Sequence, residues 1–340
     1  MGKLWIIARS TFSEIVRQPF YFVILAVAAL LTTASPTFSA FTLLNSTKLL
    51  RDMGLATILL AGWFLSAVAA SQVVSTEIRR RTVLTLLSKP IARWQFIFGK
   101  FVGLPGAVTL ACALLGAILL IIARFGVPEA AYTTMDWPIF RALMGAYAAT
   151  IIIGAGANFW FDRPFASTAI KTLAITVGIV LVVFAFVENP ADPEGPAYDY
   201  QLVRAIVAGI LGALVLAAVA LAFSTRLTMA ATVFASLVVY GVGLIADQLH
   251  AGFRRLADWG VGLFPVEMQE GWPTRVLHSA ADIAYYLIPN FQVFRVGDVL
   301  MEEGRTIPWS YVAYAAGYAA ILVGAFLMLA VMLFQEREVS

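Results

Sequence analysis

Residues 77–100 read EIRRRTVLTLLSKPIARWQFIFGK, from Glu77 to Lys100. Arg79, Arg80 and Arg81 open the stretch; Lys89, Arg93 and Lys100 follow. Val83, Leu86 and Leu87 repeat at three and four residues, so a short helix here has one apolar face. Ser88-Lys89-Pro90 ends it, because a proline pushes the residue before it out of the helical region. Trp94, Ile97 and Phe98 then lead into a long apolar run, and another such run precedes Glu77. Each run can cross a bilayer, which takes about 20 largely apolar residues. The stretch is therefore a basic, amphipathic insert between two membrane spans. On spacing alone it suits either a rigid surface for a partner or a lipid-facing basic loop.

Composition supports the spans. The 340 residues are 61% hydrophobic and 13% charged, against roughly 25% charged in a soluble domain. That deficit excludes an ordinary soluble enzyme. Eight apolar segments stand out: 20–39, 54–76, 101–123, 139–161, 166–187, 202–223, 227–246 and 309–334. The fourth and fifth are separated only by Asp162-Arg163-Pro164, and the sixth and seventh by Ser224-Thr225-Arg226. The expected fold is an all-α integral membrane protein of about eight transmembrane helices in one domain, 1–340. Residues 1–18 precede the first span. Leu4, Trp5, Ala8, Phe12, Ile15 and Val16 share one helical face, and Lys3, Arg9, Ser13, Glu14 and Arg17 the other. This pattern predicts an interfacial amphipathic helix rather than a cleaved signal.

Charge gives the orientation. Eight spans put both termini and the 77–100 insert on one side. Lys3, Arg9, Arg17, Arg79, Arg80, Arg81, Lys89, Arg93, Lys100, Arg163, Lys171, Arg226 and Arg337 all fall there. The acids on that side are Glu14, Glu77, Asp162, Glu336 and Glu338. Lys and Arg near span ends favour the cytoplasm, so this side is expected to be cytosolic. Two larger segments fall on the other side. Residues 188–200 are acidic and proline-rich, which reads as an exposed loop. Within 250–308, Val276, Ala280, Ile283, Ala284 and Leu287 recur at helical spacing between Pro273 and Pro289. They predict an extracytoplasmic amphipathic helix that rests on the outer leaflet or caps the bundle.

Chemistry-bearing motifs are scarce. Gly99-Lys100 lacks the upstream glycine and following hydroxyl of a phosphate-binding loop. His250 and His278 are far apart, and Cys112 is the lone cysteine, so no metal-ligand spacing exists. No Gly-x-Ser-x-Gly elbow supports a nucleophile. Arg124, Lys171, Arg204 and Asp247 lie near span ends, where long side chains can snorkel. Asn158 is the most polar residue well inside a span. No buried carboxylate marks an ion path. Gly154 with Gly156, Gly209 with Gly212, and Gly241 with Gly243 read as helix-packing positions. No catalytic or metal residue is expected, and the substrate-binding residues are unknown.

Glu77…Thr82-Val83-Leu84…Leu86-Leu87-Ser88-Lys89-Pro90-Ile91…Arg93…Phe98-Gly99-Lys100-Phe101 resembles the cytosolic signature of type-2 ABC exporter permeases. The amphipathic start, ending in Arg17-Gln18-Pro19, is similar to that family's elbow helix. Ser224-Thr225-Arg226-Leu227, Ile288-Pro289-Asn290-Phe291 and Phe334-Gln335-Glu336-Arg337-Glu338 resemble stretches of its eight-span bacterial branch. Two departures stand out: Arg81 occupies a usual glycine position, and eight spans replace six, with the extra hairpin at 139–187. The resemblance implies a permease subunit without catalysis of its own. Glu77, Arg79, Arg80, Arg81, Thr82, Leu86, Leu87, Pro90 and Arg93 would couple to an ATPase, with Arg9 and Arg17 on the elbow helix beside them. The implied partners are an ABC ATPase subunit carrying ATP and Mg, a second permease copy and membrane lipid, with no nucleic acid. The implied location is the bacterial inner membrane. A secondary transporter or channel, a membrane enzyme and a membrane anchor of a larger complex are the competing readings of the same spans.

Overall fold

The computed structural model describes residues 2–39, 46–79, 93–124, 137–186, 198–262, 271–297 and 306–335. Eleven α-helices and one short 3-10 turn account for the secondary structure among these residues. In order they are α1 (Gly2–Val16), α2 (Pro19–Ser39), α3 (Ser46–Arg79), α4 (Arg93–Arg124), α5 (Trp137–Phe161) and α6 (Phe165–Ala185). Then come α7 (Tyr200–Ser224), α8 (Met229–Leu244), α9 (Ala246–Val261), α10 (Trp272–Leu287), the turn Gln292–Phe294 and α11 (Trp309–Gln335). Helices dominate because lipid offers backbone amides and carbonyls no hydrogen-bond partners.

Among the described residues seven helices are long and apolar enough to span a membrane: α2 to α7 and α11. The seventh expected span, 227–246, falls on α8, which is too short to pass alone; it meets α9 at 68°, and the bent pair counts as an eighth candidate only together. Burial sorts the bundle. The most apolar window of α7 is 72% buried and those of α3 and α4 are 61% buried, whereas that of α11 is 22% buried. α7, α3 and α4 thus form the centre, and α11 and the α5–α6 hairpin form the rim.

The hairpin leans on α2 and α4. Phe22 meets Phe165 edge-on at 5.1 Å, and Thr33 Oγ1 lies 2.7 Å from the Tyr147 hydroxyl. The turn at 162–164 places Asp162 at φ 50°, a left-handed conformation that aspartate tolerates better than most residues. Asn158 Nδ2 donates to the Arg163 carbonyl at 2.9 Å and closes this turn. Its polarity serves local backbone pairing. Buried threonines and serines behave likewise: Thr32, Thr33, Ser66 and Thr150 each donate to the carbonyl four residues earlier.

The break after Leu244 frees carbonyls that a straight helix would pair. Two are recovered from the chain beyond α10. The Phe291 amide donates to the Gly243 carbonyl at 3.0 Å, and Gln292 Nε2 donates to the Leu244 carbonyl at 2.7 Å. Asn290 anchors the same crossing. Its amide donates to the Tyr318 hydroxyl at 2.8 Å, and its Nδ2 donates to Asp247 at 2.8 Å. The Ile288-Pro289-Asn290-Phe291 stretch therefore splices the bent pair to α11. Gly243 permits the contact, since a Cβ there would lie 2.4 Å from the Pro289 carbonyl oxygen and 2.3 Å from the Phe291 ring. Gly154 and Gly212 also meet neighbours closely, whereas Gly241 faces open space.

α9 and α10 form an amphipathic helical hairpin at the end of the bundle away from α1. The sequence predicts α10, which starts beside Pro273; the separate helix α9 was unexpected. His250 Nε2 lies 2.9 Å from Asp282 Oδ1, and Arg254 grips the same carboxylate through both oxygens. His278 Nε2 lies 2.8 Å from Asp258 Oδ1.

Gly243→Ala is expected to strain the crossing and lower stability by about 1–3 kcal/mol, the usual cost of overpacking. Thermal unfolding in detergent checks this. The hydrogen bond from His250, followed by that from Arg254, holds the Asp282 carboxyl below its ordinary pKa. A depressed carboxyl stabilises the fold above its unfolded pKa and loses that effect as pH falls through the folded value. Spin labels at Arg255 and Tyr286 are expected to separate on such acidification. Asp282→Asn is expected to remove that pH dependence.

Candidate functional site at the elbow end

α1 lies along the start of α4 on a track of small residues. A Cβ at Gly99 would meet Ile7 at 2.7 Å, one at Gly103 would meet the Ala8 carbonyl oxygen at 2.5 Å, and one at Gly106 would meet the Phe12 ring at 3.3 Å. The spacing of 99, 103 and 106 puts the three glycines on one face of α4, so the helix backbones approach closely. Lys100, next to this track, is only 4% exposed, and its Nζ lies 3.9 Å from Glu14 of α1. Tyr21 fixes the next helix: its hydroxyl donates to the Ala107 carbonyl at 2.7 Å. α1, the start of α2 and the start of α4 thus pack as one unit. The outer face of α1 is a shallow groove lined by Trp5, Ile6, Arg9, Ser10, Ser13, Glu14, Arg17 and Gln18. Arg9 and Arg17 are both exposed there.

α3 is a rod of 34 residues, about 50 Å long at the usual helical rise. Its apolar span is Lys48–Val73, so the helix continues for more than a turn past the span before ending at Arg79. α4 starts at Arg93, four residues before its own span begins at Ile97. Glu77 and Arg79 belong to the last turn of α3, and Arg93 is the first residue of α4. Arg80, Arg81, Thr82, Leu86, Leu87 and Pro90 lie outside the described residues. The predicted site residues are thus brought together only in part: two helix ends and an elbow share one end of the bundle.

The remaining helix ends there are tied as well. Arg226, in the turn between α7 and α8, donates through Nε to the Leu333 carbonyl of α11 at 2.8 Å. The opposite end carries other charged ties. Arg51 lies 2.9 Å from Asp199, which also caps α7 by accepting from the Gln201 amide at 2.8 Å. Arg124 and Arg204 stack over Tyr198 and Trp309. Among the described residues no group of three or more His, Cys, Asp and Glu side chains could hold a metal ion. The glycine track was missed at the sequence level, although the 99–103–106 spacing was its available signal.

A model of the family described as ABC-2 family transporter protein matches residues 5–193, more than half of the chain. That match runs from the elbow through the insert to the end of the α5–α6 hairpin. The chain belongs to this family: it is a type-2 ABC permease, a multi-pass membrane transport subunit. No curated protein matches it.

Gly103→Leu is expected to lift α1 from α4. Thr11, only 1% exposed, reports on this. A cysteine at Thr11 is expected to react slowly with a thiol reagent in the otherwise native chain. Adding Gly103→Leu is expected to speed it by at least about tenfold, because local opening worth about 1.4 kcal/mol less changes the open fraction tenfold.

Proposed function

We propose that this chain is the membrane subunit of an ATP-driven exporter, acting as two permease copies with two ATPase subunits. ATP and Mg bind in the ATPase, and the permease contributes the path and its movement. The observation that carries this is the unbroken α3 rod, whose end protrudes past the apolar span and delivers Glu77 and Arg79 to the insert. Long helices curve gently and kink sharply only at prolines, π-bulges and similar breaks; α3 contains no proline, so a push at its end is carried along its length. Docking of an ATPase on the segment from Glu77 to Arg93 loads α3 and α4 together. α1 follows α4 through the glycine track, so Arg9 and Arg17 travel with the docking surface. The central α3–α7 contact then converts the load into relative tilting of packed helices.

The cation-rich end is assigned to the cytosol of a bacterial cell, and both termini with it, from the distribution of Lys and Arg. A second copy is assigned to the apolar face shared by α3 and α8. Leu60 and Phe64 of α3 and Phe234, Leu237 and Val238 of α8 are exposed there. Gly241 offers a small surface for close approach of a helix on the same face.

The test is co-purification with an ATPase subunit from the native host. The triple charge reversal Arg79→Glu, Arg80→Glu, Arg81→Glu is expected to abolish it while leaving expression and thermal stability unchanged. Retained co-purification would contradict docking at this segment.

A further inference from the structure

The outward face of α6 carries a cation inside an apolar span. Lys171 is exposed and lies about 9 Å along the helix from Phe165, where that span begins. A charge within a span ordinarily faces the bundle interior and pairs there; this one faces outward. Arg163, in the turn just before α6, is exposed as well. Among the described residues neither side chain has an ion-pair partner. Beyond Lys171 the same face is apolar. Ile175, Ile179 and Val182 are exposed there, and a Cβ at Gly178 would meet nothing within 4 Å, which leaves a shallow notch among them. Phe159, Trp160 and Phe161 are exposed at the turn that carries Arg163. Aromatic residues concentrate at headgroup level, which sets the depth of that turn. Phe165 meets Phe22 near the start of α2, so the turn belongs to the α1 end of the bundle.

We infer that this face of α6 binds an anionic phospholipid from the leaflet at the α1 end. Side chains on a helix lean back toward its N-terminus, so the Lys171 ammonium reaches toward the turn and meets the lipid phosphate there. Arg163 adds a second positive charge at the same end. The acyl chains run on from that point along Ile175, Ile179 and Val182, over the notch at Gly178. Charge sets the headgroup class. Arg163 and Lys171 against Asp162, the one acid of the turn, leave a net positive charge that an anionic lipid neutralises. The ammonium of a zwitterionic lipid would meet the second cation instead. Ser167 and Thr168 already donate to the Pro164 carbonyl, so the two cations are the donors left for a phosphate. The α5–α6 hairpin packs on α2 and α4, away from the α3–α8 face assigned to a second copy. The site needs neither that copy nor an ATPase, so it stands apart from the exporter proposal.

Native mass spectrometry of the purified full chain tests the inference. The probes are phosphatidylglycerol and phosphatidylcholine with identical acyl chains. The first bound phosphatidylglycerol is expected to bind at least about tenfold tighter than phosphatidylcholine. Lys171→Leu is expected to cut that preference about fivefold, the usual worth of one cation near an anionic lipid surface. Arg163→Gln is expected to cut it to a similar extent, and the two together to bring the lipids level. Lys171→Arg is expected to keep the preference, since it keeps the charge. Both positions are exposed, so the variants are expected to fold as the parent chain does. Equal affinity for the two lipids in the unaltered chain, a preference that survives the double substitution, or its loss in Lys171→Arg would overturn the inference.

Discussion

In a bilayer the backbone has nowhere to place an unpaired carbonyl, and this requirement governs the molecule. Nearly every described span meets it by remaining helical. The one sharp break, after Leu244, is repaired by groups delivered from almost fifty residues further along the chain, the Phe291 amide and the Gln292 side chain. That repair fixes where the chain must return. It sets the 3-10 turn against α7 and places Asn290 between Asp247 and Tyr318. The bend, the α9–α10 hairpin and the seat of α11 are consequences of pairing a few polar atoms.

The same requirement pushes charge to the two ends, and the ends are built differently. The end at α1 is mechanical: a helix rod that outruns its span, and an elbow seated on three glycines of α4. The other end is a set of ionic ties, Arg51 to Asp199 and His250 and Arg254 to Asp282. The described interior carries no metal cluster, and its polar side chains mostly pair with nearby backbone.

Much of this was legible from residue patterns. Apolar runs located the spans because burial in lipid demands a continuous stretch. Leu4, Ala8, Phe12 and Ile15 located α1 because one of its faces packs on the bundle; Trp5, expected on that face, is exposed and lines the outer groove instead. Three features escaped for separate physical reasons. The bend at Leu244 lies in an apolar run with no proline, so periodicity carries no mark of it. The small residues at 99, 103 and 106 matter only because Ala8 and Phe12 come to rest on them. α3 outruns its hydrophobic window because polar residues at both ends extend the helix without adding hydropathy. The six expected site residues from Arg80 to Pro90 lie outside the described residues, and their coupling role belongs to the proposal.

The account rests on the α1 end facing the cytoplasm, where an ATPase could reach the segment between α3 and α4. Single cysteines at Lys89 and at Trp272, in a Cys112→Ala background, address this through a membrane-impermeant thiol reagent applied to intact cells. The account predicts labelling of the Trp272 position at once, and of the Lys89 position only after the membrane is opened. Labelling of the Lys89 position in sealed cells would contradict it.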